Sequence, residues 1–174
     1  ANLAAGAATA QAAIYARLTE RLARAGADRV AVTSIGGHFC IEAFKPLSAL
    51  PVIDIVDAVR DAVAARGARR VGLIGTRTVM ESGFYGGLAP VETLAPPGAL
   101  ADAVHAAYVD MATSARVTAE QRAVFDEACA ALLEAGADAV LLAGTDLALA
   151  YDAQTSDLPL IDGIAAHVAA ILRA

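Results

Sequence analysis

The side chains that combine reactive or anion-binding chemistry with a reachable position fall in three short turns. The first, Thr33 to His38, carries Ser34, Gly36 and His38; the second, after Gly75, carries Thr76 and Thr78 with Glu81 just beyond; the third holds Gly144, Thr145 and Asp146. Ser34 with His38 suggests proton transfer, because a serine hydroxyl gives up its proton only with help from a neighbouring base. Ser34 also reads as a small strand-end residue bonded to local backbone. His38 reads as a donor to substrate or as a tie for its own loop. Asp146 is a candidate acid or base, yet it and Glu81 also suit the start of a helix, where a carboxylate stabilises free N–H groups. Thr76 and Thr145 suit a bound carboxylate, which hydroxyls and exposed backbone N–H groups at such turns can hold. Gly36 and Thr78, in the same turns, complete the candidate substrate-binding set: an anion pocket for a small acidic molecule.

Two of these turns are copies. The segment AGADRVAVTSIGGHF, from Ala25, returns as AGADAVLLAGTDL, from Ala135, with Ser34 laid on Gly144. Downstream of each, at nearly the same interval, stands LPVID (Leu50–Asp54) or LPLID (Leu158–Asp162). Two spaced matches in the same order indicate an internal duplication. In each copy a helix ends at a glycine, an apolar run makes a strand buried on both faces, and the chain then breaks into small polar residues. Open α/β sheets place their ligands at the carboxyl ends of such strands, so two related halves would present two loops to one ligand.

The rest of the chain supplies elements to position these turns. Ile14, Leu18 and Leu22 recur at helical spacing over 10–25, opposite Arg17, Glu20, Arg21 and Arg24. A short helix over 39–44 stops near Pro46, a strand covers 50–53, and a helix over 54–65 turns Ile55, Val56, Val59 and Val63 inward. A buried strand follows at 70–74, and a helix begins near Thr78. The glycines Gly72 and Gly75 match neither the dinucleotide nor the Walker fingerprint. A Gly- and Pro-rich stretch, 83–98, includes one candidate strand at 90–94. Helices over 99–112 and 118–135 come next, the second opened by a capping box at Thr118 and Gln121. The strand at 140–142, an unassigned stretch 147–156, a strand at 159–161 and a closing helix complete the chain. His105 and His167 fall in helices as surface or satisfied residues. Alternating strands and helices mean an α/β fold with parallel sheets. The division is expected at 1–66, with the closing helix 162–174 returning to it, and 67–161.

Composition bounds the rest. With 57% hydrophobic residues in 174, a substantial core is expected. Every apolar run is cut short of a membrane span, no signal peptide opens the sequence, and the expected location is the cytoplasm. A net charge of −6 without a basic cluster argues against nucleic acid. Cys40 and Cys129 lack metal-type spacing and read as free thiols; Cys40 is either buried filler or a thiol near the site.

With AGAD, a buried strand and a loop ending in His38, then RRVGLIGTR with Met80-Glu81 and Phe84-Tyr85, and finally AGAD with Thr145-Asp146 and LPLID, the chain resembles the aspartate/glutamate racemase family, more its aspartate racemase branch. The resemblance covers nearly the whole sequence. It implies two similar α/β/α subdomains related by a pseudo-twofold axis, with a substrate between them. It also implies catalysis without pyridoxal phosphate or metal, by two cysteines on opposite faces of the substrate's α-carbon, and commonly a homodimer. Inversion requires an acid and a base on opposite sides of a planar carbanion, and tuned thiols serve as either.

Against that pattern, Ser34 stands at the first cysteine position, followed by Ile35 and Gly36 in place of the family's Asn and Thr. Gly144 stands at the second, and Val79 replaces a threonine. The family's opening strand and Gly-rich loop have no counterpart before Ala10. Three functions follow as expectations. One is a cofactor-independent racemase of a small acidic amino acid or carboxylate using Ser34, His38 or Asp146. Another is a lyase or hydrolase on the same scaffold, although relatives that decarboxylate malonates keep the cysteine that Gly144 replaces here. The last is a carboxylate-binding protein without turnover.

Overall fold

The computed structural model describes residues 5–174. It forms two compact units, the first comprising the chain up to Ile55 together with His167–Ala174, the second Val56–Ala166. Every strand pairing in either unit is parallel, as alternating strands and helices require. No helix among the described residues is long and apolar enough to cross a membrane.

In the first unit, helix α1 (Ala8–Arg24) leads to strand β1 (Val30–Ala31), which pairs with β2 (Val52–Ile53). The apolar stripe that marks α1 in sequence is not the face it buries. Ile14, Leu18 and Leu22 are 36, 44 and 43% exposed, whereas Ala12 and Thr19 are buried. The packed face is the small one, because it receives bulky neighbours: Ala12 clusters with Cys40, Ile41 and Phe44, and Tyr15 meets Phe44 edge-on at 5.4 Å between ring centroids. Between β1 and β2 the chain is helical from Ile35, earlier than the sequence suggests. A 3-10 helix (Ile35–Cys40) contains the His38 loop and runs into α2 (Ile41–Phe44) and a further 3-10 turn (Lys45–Leu47).

The second unit holds α3 (Ile55–Arg66) from Val56 onward, then β3 (Arg70–Ile74), α4 (Arg77–Glu81), β4 (Glu92–Leu94), α5 (Gly98–Ser114), α6 (Ala119–Glu134), β5 (Ala139–Leu142) and β6 (Leu160–Asp162); α7 (Gly163–Arg173) closes the chain. Ile55, Val56, Val59 and Val63 of α3 are buried, as their spacing indicates. The capping box forms: Thr118 Oγ1 accepts from Gln121 N at 3.2 Å and Gln121 Oε1 from Thr118 N at 2.8 Å. The sheet order is β4-β3-β5-β6. From β3 the chain moves outward to β4 and returns to the other side of β3 as β5, so β3 and β5 flank a topological switch point, where α/β sheets of this kind open a crevice at their carboxyl ends. All four residues of β5 are buried. The unassigned stretch after it begins as a 3-10 helix (Thr145–Leu149).

Candidate functional site

The first-unit turn is organised by its histidine. His38 is 1% exposed, and its Nδ1 lies 2.8 Å from the backbone carbonyl of Ser34. A carbonyl only accepts, so Nδ1 carries the proton and, in the neutral ring, Nε2 carries the lone pair. The Ser34 hydroxyl is therefore not what His38 holds; Ser34 itself is exposed. Nε2 has no hydrogen-bond partner among the described residues and faces Asp54 Oδ1 at 3.6 Å. Asp54 is 5% exposed and its other oxygen lies 2.5 Å from Lys45 Nζ. Burial holds the His38 pKa below its ordinary value, with the Asp54 charge opposing that shift only in part. His167, also buried, places Nε2 2.9 Å from the Ile53 carbonyl, a satisfied histidine. Cys40 packs in the core with its thiol pKa raised by burial, its Sγ donating to the Gly37 carbonyl at 3.4 Å. Gly36 is half-buried in the same 3-10 helix. Ser34 ends a groove of about 300 Å³ that runs along β1, floored by Tyr15 and the exposed Leu18 and Leu22.

The second unit brings the other candidates together at the switch point. The ends of β3 and β5 approach so closely that a Cβ on Gly75 would lie 2.8 Å from the Ala143 carbonyl oxygen. Thr76 leaves β3 as the cap of α4, its Oγ1 accepting from Val79 N at 3.4 Å. Arg77 N donates to Nδ1 of His105 at 3.2 Å, which gives that histidine a local structural task. Thr78 is exposed on the first turn of α4. Glu81 stands at the end of α4, not its start as the sequence suggests, and pairs with Arg77 at 3.1 Å; α4 begins earlier because Thr76 caps it. Across the switch point, Gly144 is buried and extended (φ −148°, ψ 132°). Thr145 and Asp146 are half-buried, and the Thr145 hydroxyl is 3.4 Å from Asp146 Oδ2. The same oxygen accepts from the phenol of Tyr108 on α5 at 2.8 Å.

Ser34, Gly36 and His38 thus belong to one unit, and Thr76, Thr78, Gly144, Thr145 and Asp146 to the other. The sequence model for Asp/Glu/hydantoin racemases matches residues 1–171. The chain belongs to that family. Its structure is similar to a Yersinia pestis protein assigned as an Asp/Glu racemase (25% identity, TM-score 0.85, covering 98% of this chain and 77% of that one). It is also similar to an aspartate racemase homologue from Pyrococcus horikoshii OT3 (22%, TM-score 0.80, 93% and 73%). A third similar structure is the aspartate racemase of Picrophilus torridus (20%, TM-score 0.68, 88% and 65%).

In this racemase-family chain the two thiols, Cys40 and Cys129, are both buried, and neither belongs to the turns at Ser34 and Gly144. Among the described residues no group of three or more His, Cys, Asp or Glu is placed to hold a metal ion. Sequence reasoning passed over three residues of these sites. Asp54 had a signal, its place in the repeated LPxxD segment. Lys45 had only its distance from Asp54 along the chain, and Tyr108 had none, since nothing in α5 marks the tyrosine that meets position 144.

Proposed function

We propose that this protein binds a small acidic amino acid or carboxylate and acts as an isomerase, moving a proton at the α-carbon without pyridoxal phosphate or metal and without the paired thiols. The observation that carries the reading is the polar cluster at the β3/β5 switch point of a racemase-family chain. Thr76 Oγ1 accepts from Val79 N, and its own proton is then available to a bound carboxylate. Thr145, Thr78 and, in the first unit, Gly36 are the further binding candidates; Ser34, His38 and Asp146 are the proton-transfer candidates. Homodimer formation in the cytoplasm belongs to the same proposal.

A second reading, binding without turnover, is favoured by one observation: His38 Nδ1 is committed to a backbone carbonyl. Ser34 therefore lacks the base it needs. Proton NMR of D- and L-aspartate and glutamate in D₂O separates the two. Loss of the α-proton signal supports isomerase chemistry. A signal that persists, while chemical-shift changes report binding, leaves the binding reading in its place.

A further inference from the structure

The sequence offers Ser34 and His38 as a hydroxyl with its base, but that pairing is made elsewhere in the molecule. His38 Nδ1 is committed to the Ser34 carbonyl, whereas the hydroxyl of Tyr108 on α5 donates to Asp146 Oδ2 at 2.8 Å. A hydroxyl at that distance is within reach for a carboxylate to take its proton. The ring arrives there because position 144 is glycine. A Cβ built on Gly144 would lie 2.3 Å from Cε2 of Tyr108, 2.7 Å from its Cζ and 2.9 Å from its hydroxyl oxygen, so any side chain at 144 would displace the phenol. The hydroxyl therefore stands at the carboxyl end of β5, which pairs with β3, whose end carries Thr76. Sheets of this kind hold their ligands at such a place, and Thr145 and Asp146 beside the hydroxyl are half-buried. Burial, with the Asp146 carboxylate adding to it, pushes the phenol up to about 12, so Tyr108 is neutral at physiological pH. A neutral phenol still donates through its proton and accepts through its oxygen at the same time.

We propose that Tyr108 is a catalytic residue, a proton shuttle between the α-carbon of the bound substrate and Asp146. The inference rests on the isomerase reading above and adds the group that touches the reacting carbon. The Cα–H bond breaks and its proton forms an O–H bond on the Tyr108 oxygen, while the phenol's own O–H bond breaks and that proton forms an O–H bond on Asp146 Oδ2. The electron pair stays on the α-carbon, delocalised into the adjacent carboxyl group. Tyr108 begins and ends the step neutral, and Asp146 ends it protonated. Reversal returns a proton to carbon through the same oxygen. A shuttle suits this pair better than direct abstraction by Asp146 Oδ2, because that oxygen already accepts from Tyr108 and has the Thr145 hydroxyl 3.4 Å away.

The test follows the α-proton of L- and D-aspartate and glutamate by proton NMR in D₂O. It uses the wild type, Tyr108→Phe, Asp146→Asn and the double variant, each checked for folding by circular dichroism and for ligand affinity by calorimetry. Tyr108→Phe keeps the ring against Gly144 and removes only the hydroxyl. It should lower the exchange rate by roughly 100-fold or more while Kd moves by no more than about threefold. Asp146→Asn should cost as much, and the double variant little further, since two groups that pass one proton act as a unit. A loss below roughly tenfold in folded Tyr108→Phe overturns the shuttle and leaves the isomerase reading standing, with Asp146 taking the proton directly. A loss carried wholly by Kd, or losses that multiply in the double variant, overturn it as well. No exchange by the wild type overturns both the shuttle and the isomerase reading.

Discussion

The repeated segment folds the same way twice up to the strand end and differently beyond it. In each copy the helix closes on a glycine at φ +90°, Gly26 or Gly136, with matching bonds from Ala27 N to Leu22 O and from Ala137 N to Leu132 O, both 3.0 Å. In each the strand takes a bond from a proline carbonyl, Val30 N to Pro51 O at 3.0 Å and Val140 N to Pro159 O at 2.9 Å. Ser34 and Gly144 are both extended, and each starts a 3-10 helix. The difference lies around them. β5 has a strand on both sides and is wholly buried; β1 pairs only with β2 among the described residues and is half-buried. Packing from every side lets a distant helix put Tyr108 against Gly144, while Ser34 at the edge stays exposed. The matching acids differ in burial: Asp54 is buried beside Lys45, and Asp162, which accepts from Ile164 N at 2.8 Å and Ala165 N at 3.1 Å through Oδ1, is half-buried. Duplication therefore conserves what the backbone dictates and leaves side chains to their separate surroundings.

The largest effect expected from this contrast is in the strands. Leu141→Ala at the centre of β5, where Leu141 is 0% exposed, should cost about 2–5 kcal/mol through lost transfer energy and the cavity left behind. Val30→Ala in half-buried β1 should cost about 1 kcal/mol or less. Urea denaturation measures both, and equal losses would mean that the two strands are packed alike.

Placing a thiol at the strand end of each copy probes the strand ends themselves. Ser34→Cys changes an exposed residue, so stability should stay within about 0.5 kcal/mol. Gly144→Cys keeps an allowed backbone but drives its Cβ into the Tyr108 ring, at about 1–3 kcal/mol. Adding Tyr108→Ala should recover part of that loss, since residues in contact are coupled. A Gly144→Cys protein as stable as Ser34→Cys would show that the ring moves aside freely.

The fold was largely legible because its signals are local. The duplication, the buried runs of β3 and β5 and the Thr118 capping box each depend on residues close in sequence. The α1 face was not, since whether Leu18 or Ala12 turns inward depends on Phe44 arriving from another element. The candidate sites were legible as positions but not as partnerships. Ser34 and His38 stand four apart, yet the bond formed uses the Ser34 carbonyl. Tyr108 reaches Asp146 across 38 residues that carry no pattern announcing the contact.

The two units should also differ in their response to acid. His38 is buried with a lowered pKa, so between that folded value and the unfolded value of roughly 6.5 the unfolded chain binds the extra proton. Its share of stability is complete above the unfolded value and is lost as pH falls through the folded one. The Tm should therefore drop as pH is taken from 7 towards 5, by roughly a few degrees, and His38→Gln should flatten that slope. A slope unchanged in the variant would assign the acid sensitivity to other groups.

The smallest expected effect separates the helices that lead into the two copies. α6 enters through a full capping box, whereas α1 starts at Ala7 with no side-chain cap. Thr118→Ala removes an acceptor for a helix-end N–H and should cost about 1 kcal/mol. Ala7→Ser offers α1 the acceptor it lacks and should stabilise by about 0.5–1 kcal/mol. Thermal unfolding of the two variants reads both signs. If Ala7→Ser gives no gain while Thr118→Ala costs the expected amount, the start of α1 already has its N–H groups satisfied, and the asymmetry between the copies begins at the strand rather than at the helix before it.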